Sequence, residues 1–306
     1  MARFLTNRTF AKTEPLQITE FPHNEDVYFR GLLMFTALRM ITDAFHDIFD
    51  NVGAAIRIAL VPMIIVAIAG TFETLGLQGD ASARLSANAA SIVKMVMGAV
   101  ISIGWIRFII LGHAPKAGFF TWHGSFLWSY IWRYFVMNLG GATIVMVLIM
   151  LGMALSFAVF DSFSEGIMPF LMQLSVTTTG SLWAIGIGLG LVWVINWFTM
   201  RTCLWLVRVC IETLDTASRS SWNRTKSVAG PVIWIAAFFA IMEIVKTSAI
   251  DIARLTFGLS EPSAVLNIAI TIAFATMASF LLLLVSAVFA RIYIETNDTN
   301  IADTFG

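Results

Sequence analysis

Residues 264–290, AVLNIAITIAFATMASFLLLLVSAVFA, carry no charged side chain. A run of that length can cross a hydrocarbon core of roughly 30 Å as a helix. In lipid only helices and closed barrels satisfy every backbone N–H and C=O. Five further apolar runs precede it, at about 52–74, 92–111, 136–159, 181–204 and 230–250. Composition agrees: 58% of residues are hydrophobic and 12% charged, against about 45–50% and about 25% for a soluble domain. The expected fold class is all-α, a polytopic membrane protein of about six transmembrane helices.

Segments between the runs set the domain plan. Residues 1–26 read as a polar tail, 27–295 as the membrane domain and 296–306 as a second polar tail. The opening MARFLTNRTFAKTEPLQITE lacks the apolar core of a signal peptide, so an internal apolar segment is expected to direct insertion. Nineteen basic and nineteen acidic residues cancel, which leaves no global field to attract nucleic acid.

From Val27 to Asp50 the pattern is amphipathic, with Thr36, Arg39, Asp43, His46, Asp47 and Asp50 on one side. Leu33, Met34, Leu38, Ile41, Phe45, Ile48 and Phe49 fill the other. That spacing predicts a helix lying in the interface rather than spanning. Similar stretches, GSFLWSYIWRYFVMNLGG and DTASRSSWNRTKSVAGPV, precede the third and fifth runs. Their starting points, Asp43, Gly124 and Asp215, are 81 and 91 residues apart. The expectation is three helical hairpins, each entered through an amphipathic elbow.

Basic residues orient the chain. With the N-terminus inside, fifteen Lys and Arg fall on inner segments and only Arg84, Lys94, Lys246 and Arg254 on outer ones. That bias places both termini in the cytoplasm. Nine tryptophans fall near the same inner interface, and Trp183 alone near the outer one.

Candidate sites follow from the polar groups. Glu243 and Lys246, three apart in the fifth run, can pair on one helix face. Asp251 and Arg254 repeat that spacing, and Lys94 is placed to snorkel. Asn138, Asn196 and Asn267 suit interhelical hydrogen bonds. Asp43, His46, Asp47 and Asp50 are ligand types for a divalent cation, but they diverge from one helix and read better as its wet face. His113 and His123 lack a third ligand for zinc in their loop. Gly186 and Gly190 offer a small face for close helix packing. Cys203 and Cys210, seven apart on a helix, are separated by about 10 Å of rise, too far for a disulfide. No cofactor is implied, and no Walker loop, HExxH or nucleophile elbow supports catalysis.

RTCLWLVRVCIETLDTASRSSWNRTKSVAG, residues 201–230, carries Arg201, then Ser221-Trp222, Thr225 and Lys226. This resembles the elbow of a broad bacterial family of six-span proteins related to the membrane domain of glycerophosphodiester phosphodiesterases. WIRFIILGHAP resembles a segment between the second and third spans of that family's alphaproteobacterial members. Ser227 stands where the family usually has Gly, and the aromatic-basic pair usual next is absent. The resemblance implies the six-span fold and a bacterial inner membrane; without the phosphodiesterase domain it implies no reaction.

Read physically, Arg219, Arg224 and Lys226 beside Trp222 form a basic, aromatic interfacial patch. Such a patch contacts anionic headgroups, at about 1 kcal/mol per basic residue, or simply enforces orientation. The expected function is a non-enzymatic protein organising lipids or partner proteins, or copies of itself, at the cytoplasmic leaflet. The alternative is a transporter or channel for a small or lipid-like solute, with a polar cavity at mid-depth lined by Asn138, Asn196, Glu243 and Lys246.

Overall fold

The computed structural model describes residues 25–76, 81–112, 124–159, 178–211, 218–256 and 264–305. Every element among them is helical: α1 Glu25–Asp50, α2 Val52–Gly76, α3 Ala81–Leu111, α4 Gly124–Val159, α5 Thr178–Thr202, α6 Leu204–Cys210, α7 Ser218–Arg224, α8 Ala229–Thr256 and α9 Ala264–Phe305. Five stretches are long and apolar enough to cross a membrane: Val52–Phe72, Ala87–Leu111, Phe126–Leu151, Ala229–Lys246 and Ile268–Thr296. A sixth arises if α5 and α6, bent by 47°, count as one broken span. The chain is thus an all-α, multi-span membrane protein.

The bend has a local cause. Thr202 turns its hydroxyl back onto the Phe198 carbonyl at 2.8 Å, a bond that loosens a helix and favours bending. The helix restarts at once, because Cys203 O accepts from Leu206 N and Val207 N. A different device joins α1 to α2. Asn51 donates its side-chain amide to the Asp47 carbonyl, closing α1, while its own carbonyl accepts from Ala54 and Ala55 to open α2.

Burial is concentrated at the end where these breaks lie. Trp105, Ile101 and Ile106 of α3, Met200 of α5, Leu204 and Leu206 of α6, Ile235 of α8, and Leu284 and Ile292 of α9 are fully enclosed there. By contrast Met146 to Leu151 of α4 are exposed at six consecutive positions, hence all round the helix. Apolar side chains facing outward are stable in hydrocarbon and would not be in water.

α1 is more than an interfacial helix. At 3.6 residues per turn its side chains fall into three stripes. Ala37, Met40, Ile41, Ala44 and Ile48 are buried in the protein, where α1 packs on both α8 and α9. Met34, Phe35, Leu38 and Phe49 are exposed apolar groups. Arg39, Asp43, His46, Asp47 and Asp50 make the third stripe. A helix at the junction of protein, lipid and water needs those three faces, whereas the sequence reading assigned two.

Hairpin packing is close for the first two pairs. Gly104 lets α3 approach α2, since a Cβ there would stand 2.9 Å from Ile58. Gly140 does the same for α4 and α5 beside Phe198. The third pair is a hairpin by connectivity, yet α8 packs mainly on α5 while α9 packs on α3 and α2. The second expected elbow is continuous with its span: α4 runs unbroken from Gly124 to Val159, because nothing from Ser125 to Asn138 is a helix breaker.

Candidate functional site

The motif linking Arg201 to Ser221-Trp222 and Thr225 is a single contact unit. Bending at Thr202 exposes the Arg201 carbonyl, and the Thr225 hydroxyl donates to it at 3.1 Å, with Ser221 Oγ at 3.4 Å. In return the Arg201 guanidinium donates to the Trp222 carbonyl at 3.1 Å and to the Thr225 carbonyl. It also lies 4.5 Å from the centroid of the Trp222 indole, a favourable cation–π geometry. Trp222 is turned inward and meets Trp197 edge-on at 5.4 Å. α7 is thereby fastened under the broken span.

Two more arginines work in the same way. Arg107 of α3 caps α6 by donating to the Cys210 carbonyl at 2.6 Å, and covers the Phe126 ring at 4.9 Å. Arg133 of α4 donates to the Trp205 carbonyl at 2.9 Å and stacks over the same residue's ring at 5.4 Å. Cys210 closes α6, and a cation at the carbonyl end of a helix is electrostatically favoured; the Trp205 carbonyl lies in the first turn, so Arg133 is held there by the hydrogen bond and the ring. The elbow is therefore a clamp of three arginines from three spans around α6 and α7.

Of the four residues of the expected patch, Trp222 belongs to this clamp, while Arg224 and Lys226 are exposed. Arg219 lies in α7, with its side chain outside what is described. His113, His123 and the side chains of Asp251, Arg254 and Asn267 are also outside it. Asp47 holds Arg291 of α9 in a two-point ion pair at 2.8 and 2.5 Å, so it is no member of a cation site. Among the described residues no group of three His, Cys, Asp or Glu could hold a metal. Nothing lies within 4 Å of a Cβ built on Gly186 or Gly190, so the expected glycine packing is not made within the described chain.

Polar residues from four spans converge elsewhere. A cavity of about 390 Å³ lies between α3, α4, α5, α8 and α9. Lys94, Asn138, Asn196 and Glu243 line it, together with Ser102, Tyr130, Tyr134 and Thr199. Its remaining wall is apolar, built from Ala278, Leu282, Val285 and Phe289 of α9 and a few neighbours. Gly98 admits Leu282 to that wall, with a notional Cβ at 3.4 Å. Lys94 is part of this lining, and its Nζ would stand 3.8 Å from a Cβ built on Gly70 of α2. Lys246 is not in the lining; it is ion-paired with Glu243. No family model, curated protein or solved structure matches this chain.

Sequence reasoning found Asn138, Asn196 and Glu243 and missed the hydroxyls. One signal was available. Tyr130, Tyr134 and Asn138 repeat every four residues, a polar stripe on one face of an otherwise apolar helix. Ser102, four residues after Gly98, reads in the sequence only as a small packing residue. A second hollow of about 250 Å³, between α1, α2 and α9, has almost entirely apolar walls and includes Phe49, Ile56 and Phe280. It lacks the polar groups that fix a ligand's orientation.

Proposed function

We propose that this membrane protein takes a small or lipid-like solute into the cavity among α3, α4, α5, α8 and α9, as a transporter or channel. One observation carries the reading: Lys94, Asn138, Asn196 and Glu243 come from four different spans and line one space. Polar and charged groups at membrane depth are costly, and they characteristically face a pathway or one another. A cavity of about 390 Å³ falls within the ordinary range of small-molecule sites, about 300–1,000 Å³.

The test is water access. Asn196→Cys is expected to react with a small water-soluble thiol reagent, whereas Ile187→Cys, on the exposed apolar surface of the same helix, should stay inert. Cys203 and Cys210 are fully buried and give a silent background. An inert Asn196→Cys would mean a dry interior, and the reading would fall.

A second reading, the organisation of anionic lipids or partner proteins at the cytoplasmic leaflet, is supported by the exposure of Arg224 and Lys226 beside Trp222. It requires that replacing Arg219, Arg224 and Lys226 together by Gln weaken association with anionic vesicles; unchanged association would end it. The two readings are compatible, because patch and cavity lie on different residues. The bacterial inner membrane, the cytoplasmic termini and kinship with the six-span family belong to the same proposal. Its support is the basic bias of the inner segments and the closed contact unit of Arg201, Ser221, Trp222 and Thr225. Reporter fusions at each terminus test the orientation, and an external reporter at either end would reverse it.

A further inference from the structure

The apolar hollow between α1, α2 and α9 is a different place from the polar cavity, and its occupant follows from its position, shape and rim. On α2 the lining runs from Val52 to Met63, about 16 Å at 1.5 Å per residue. That is close to half of a hydrocarbon core of roughly 30 Å. One end lies where α1, with its wet stripe, gives way to α2 at Asn51. α9 runs alongside in the opposite sense, since Phe280 meets Phe49 at 6.3 Å while Thr271 lies against Gly70. Thr276, one turn before Phe280, therefore lines the deep end.

The walls offer nothing polar to orient a ligand. Even Thr276 turns its hydroxyl back to the Ile272 carbonyl at 2.9 Å. A volume of about 250 Å³ is smaller than sites that enclose a whole small molecule, about 300–1,000 Å³. Phe49, Val52 and Ile56 along its edge are exposed, so at membrane depth it opens sideways to lipid. Such a slot has the length and dryness for one hydrocarbon chain of one leaflet.

Arg57 supplies a charge at the rim. It follows Ile56 and stands one turn before Leu60, and both of these line the hollow. Arg57 is exposed, and among the described residues its guanidinium has neither an ion pair nor a hydrogen bond. Of the carboxylates on α1, Asp47 is held by Arg291 instead. Arg57 lies five residues, about 8 Å, inside the apolar stretch Val52–Phe72, where an unpaired charge is costly. Helical side chains lean toward the N-terminus, and here that course passes Gly53, where nothing lies within 4 Å of a built Cβ. The guanidinium can thus snorkel to headgroup depth, where a phosphate accepts two parallel N–H bonds from it.

We propose that this hollow seats one acyl chain of a glycerophospholipid whose phosphate is held by Arg57. The site shares no residue with the polar cavity or with the patch of Arg224 and Lys226, so it stands independently of both readings above.

The experiment uses purified, delipidated protein in an uncharged detergent, with binding followed by native mass spectrometry. The probes are dioleoylphosphatidylglycerol, dioleoylphosphatidylcholine and dioleoylglycerol, which share their chains and differ in headgroup. Both phospholipids are expected to occupy one site at least about tenfold more tightly than dioleoylglycerol. Arg57→Gln should remove about tenfold of that affinity for both phospholipids, and Arg57→Lys should lose less. Thr276→Trp, filling the deep end, should weaken all three probes by about tenfold. Both positions are exposed, so these variants are expected to fold. Ile187→Trp, exposed on α5, should change nothing. Dioleoylglycerol binding as well as the phospholipids, or an indifferent Arg57→Gln, overturns the proposal, and so does an indifferent Thr276→Trp. Phosphatidylcholine binding no better than dioleoylglycerol would mean that net charge and not the phosphate is recognised, which also overturns it. Loss of the site on replacing Arg219, Arg224 and Lys226 by Gln, with Arg57 intact, would place the lipid at that patch instead.

Discussion

Arg201 and Thr225 are bonded in both directions: the Thr225 hydroxyl donates to the Arg201 carbonyl at 3.1 Å, and the Arg201 guanidinium donates to the Thr225 carbonyl. Arg201 is 4% exposed and Thr225 fully buried, so neither end of the exchange has water to fall back on. Thr225→Val should cost about 1–3 kcal/mol, the penalty for leaving a buried acceptor without one of its donors. Arg201→Lys should cost more, because an ammonium cannot reach two carbonyls and stack on Trp222 together. Thermal unfolding in detergent measures both; an unchanged midpoint for Arg201→Lys would mean that the clamp does not hold the elbow.

The pairing of Asp47 with Arg291 supplies a second measurement. Its side chains are 17% and 26% exposed, against 40% and 59% for Glu295 and Arg39, another pair joining α1 to α9. Double-mutant cycles should give about 1–3 kcal/mol for Asp47 with Arg291 and below about 1 kcal/mol for Arg39 with Glu295. Equal couplings would show that partial burial contributes nothing here.

Gly230 should resist substitution. A Cβ there would stand 2.6 Å from Leu33 of α1, so Gly230→Ala is expected to destabilise by about 1–3 kcal/mol through overpacking. Leu33→Ala should recover part of that loss by making room. Gly186→Ala, with nothing within 4 Å, should be neutral or slightly stabilising, since alanine is the better helix former. Unfolding midpoints of Gly230→Ala, of Gly230→Ala combined with Leu33→Ala, and of Gly186→Ala decide it, and equal responses at the two glycines would refute the contact.

Cys203 and Cys210 should be unreactive in the folded protein and react fully once it is denatured, being 0% exposed. Reaction kinetics with a thiol reagent across an unfolding titration would follow loss of the α6 core. Rapid labelling under native conditions would mean that α6 opens locally.

How much of this was legible beforehand varies by element. The charge-free run of α9 declares itself, because hydrocarbon length and backbone satisfaction leave almost no other solution. Breaks were harder. Nothing from Gly124 to Asn138 separates an elbow from a span, and the structure runs one helix through both. The turn at Cys203 depends on Thr202 bonding backward, an option that a threonine in a helix does not always take. Arg107 and Arg133 were counted only as inner positive charges, since nothing local reveals that their partners are carbonyls of α6, 103 and 72 residues away.

The opening feature shows where the division lies. Hydropathy alone determined that this chain spans a membrane with about six helices, because transfer of apolar side chains into lipid is a property each segment has by itself. Which spans are neighbours is decided by side-chain packing among segments far apart in the chain, and hydropathy is blind to it. Only the tertiary structure could set α9 against α3, turn Trp222 beneath Arg201, and bring Lys94, Asn138, Asn196 and Glu243 around one cavity.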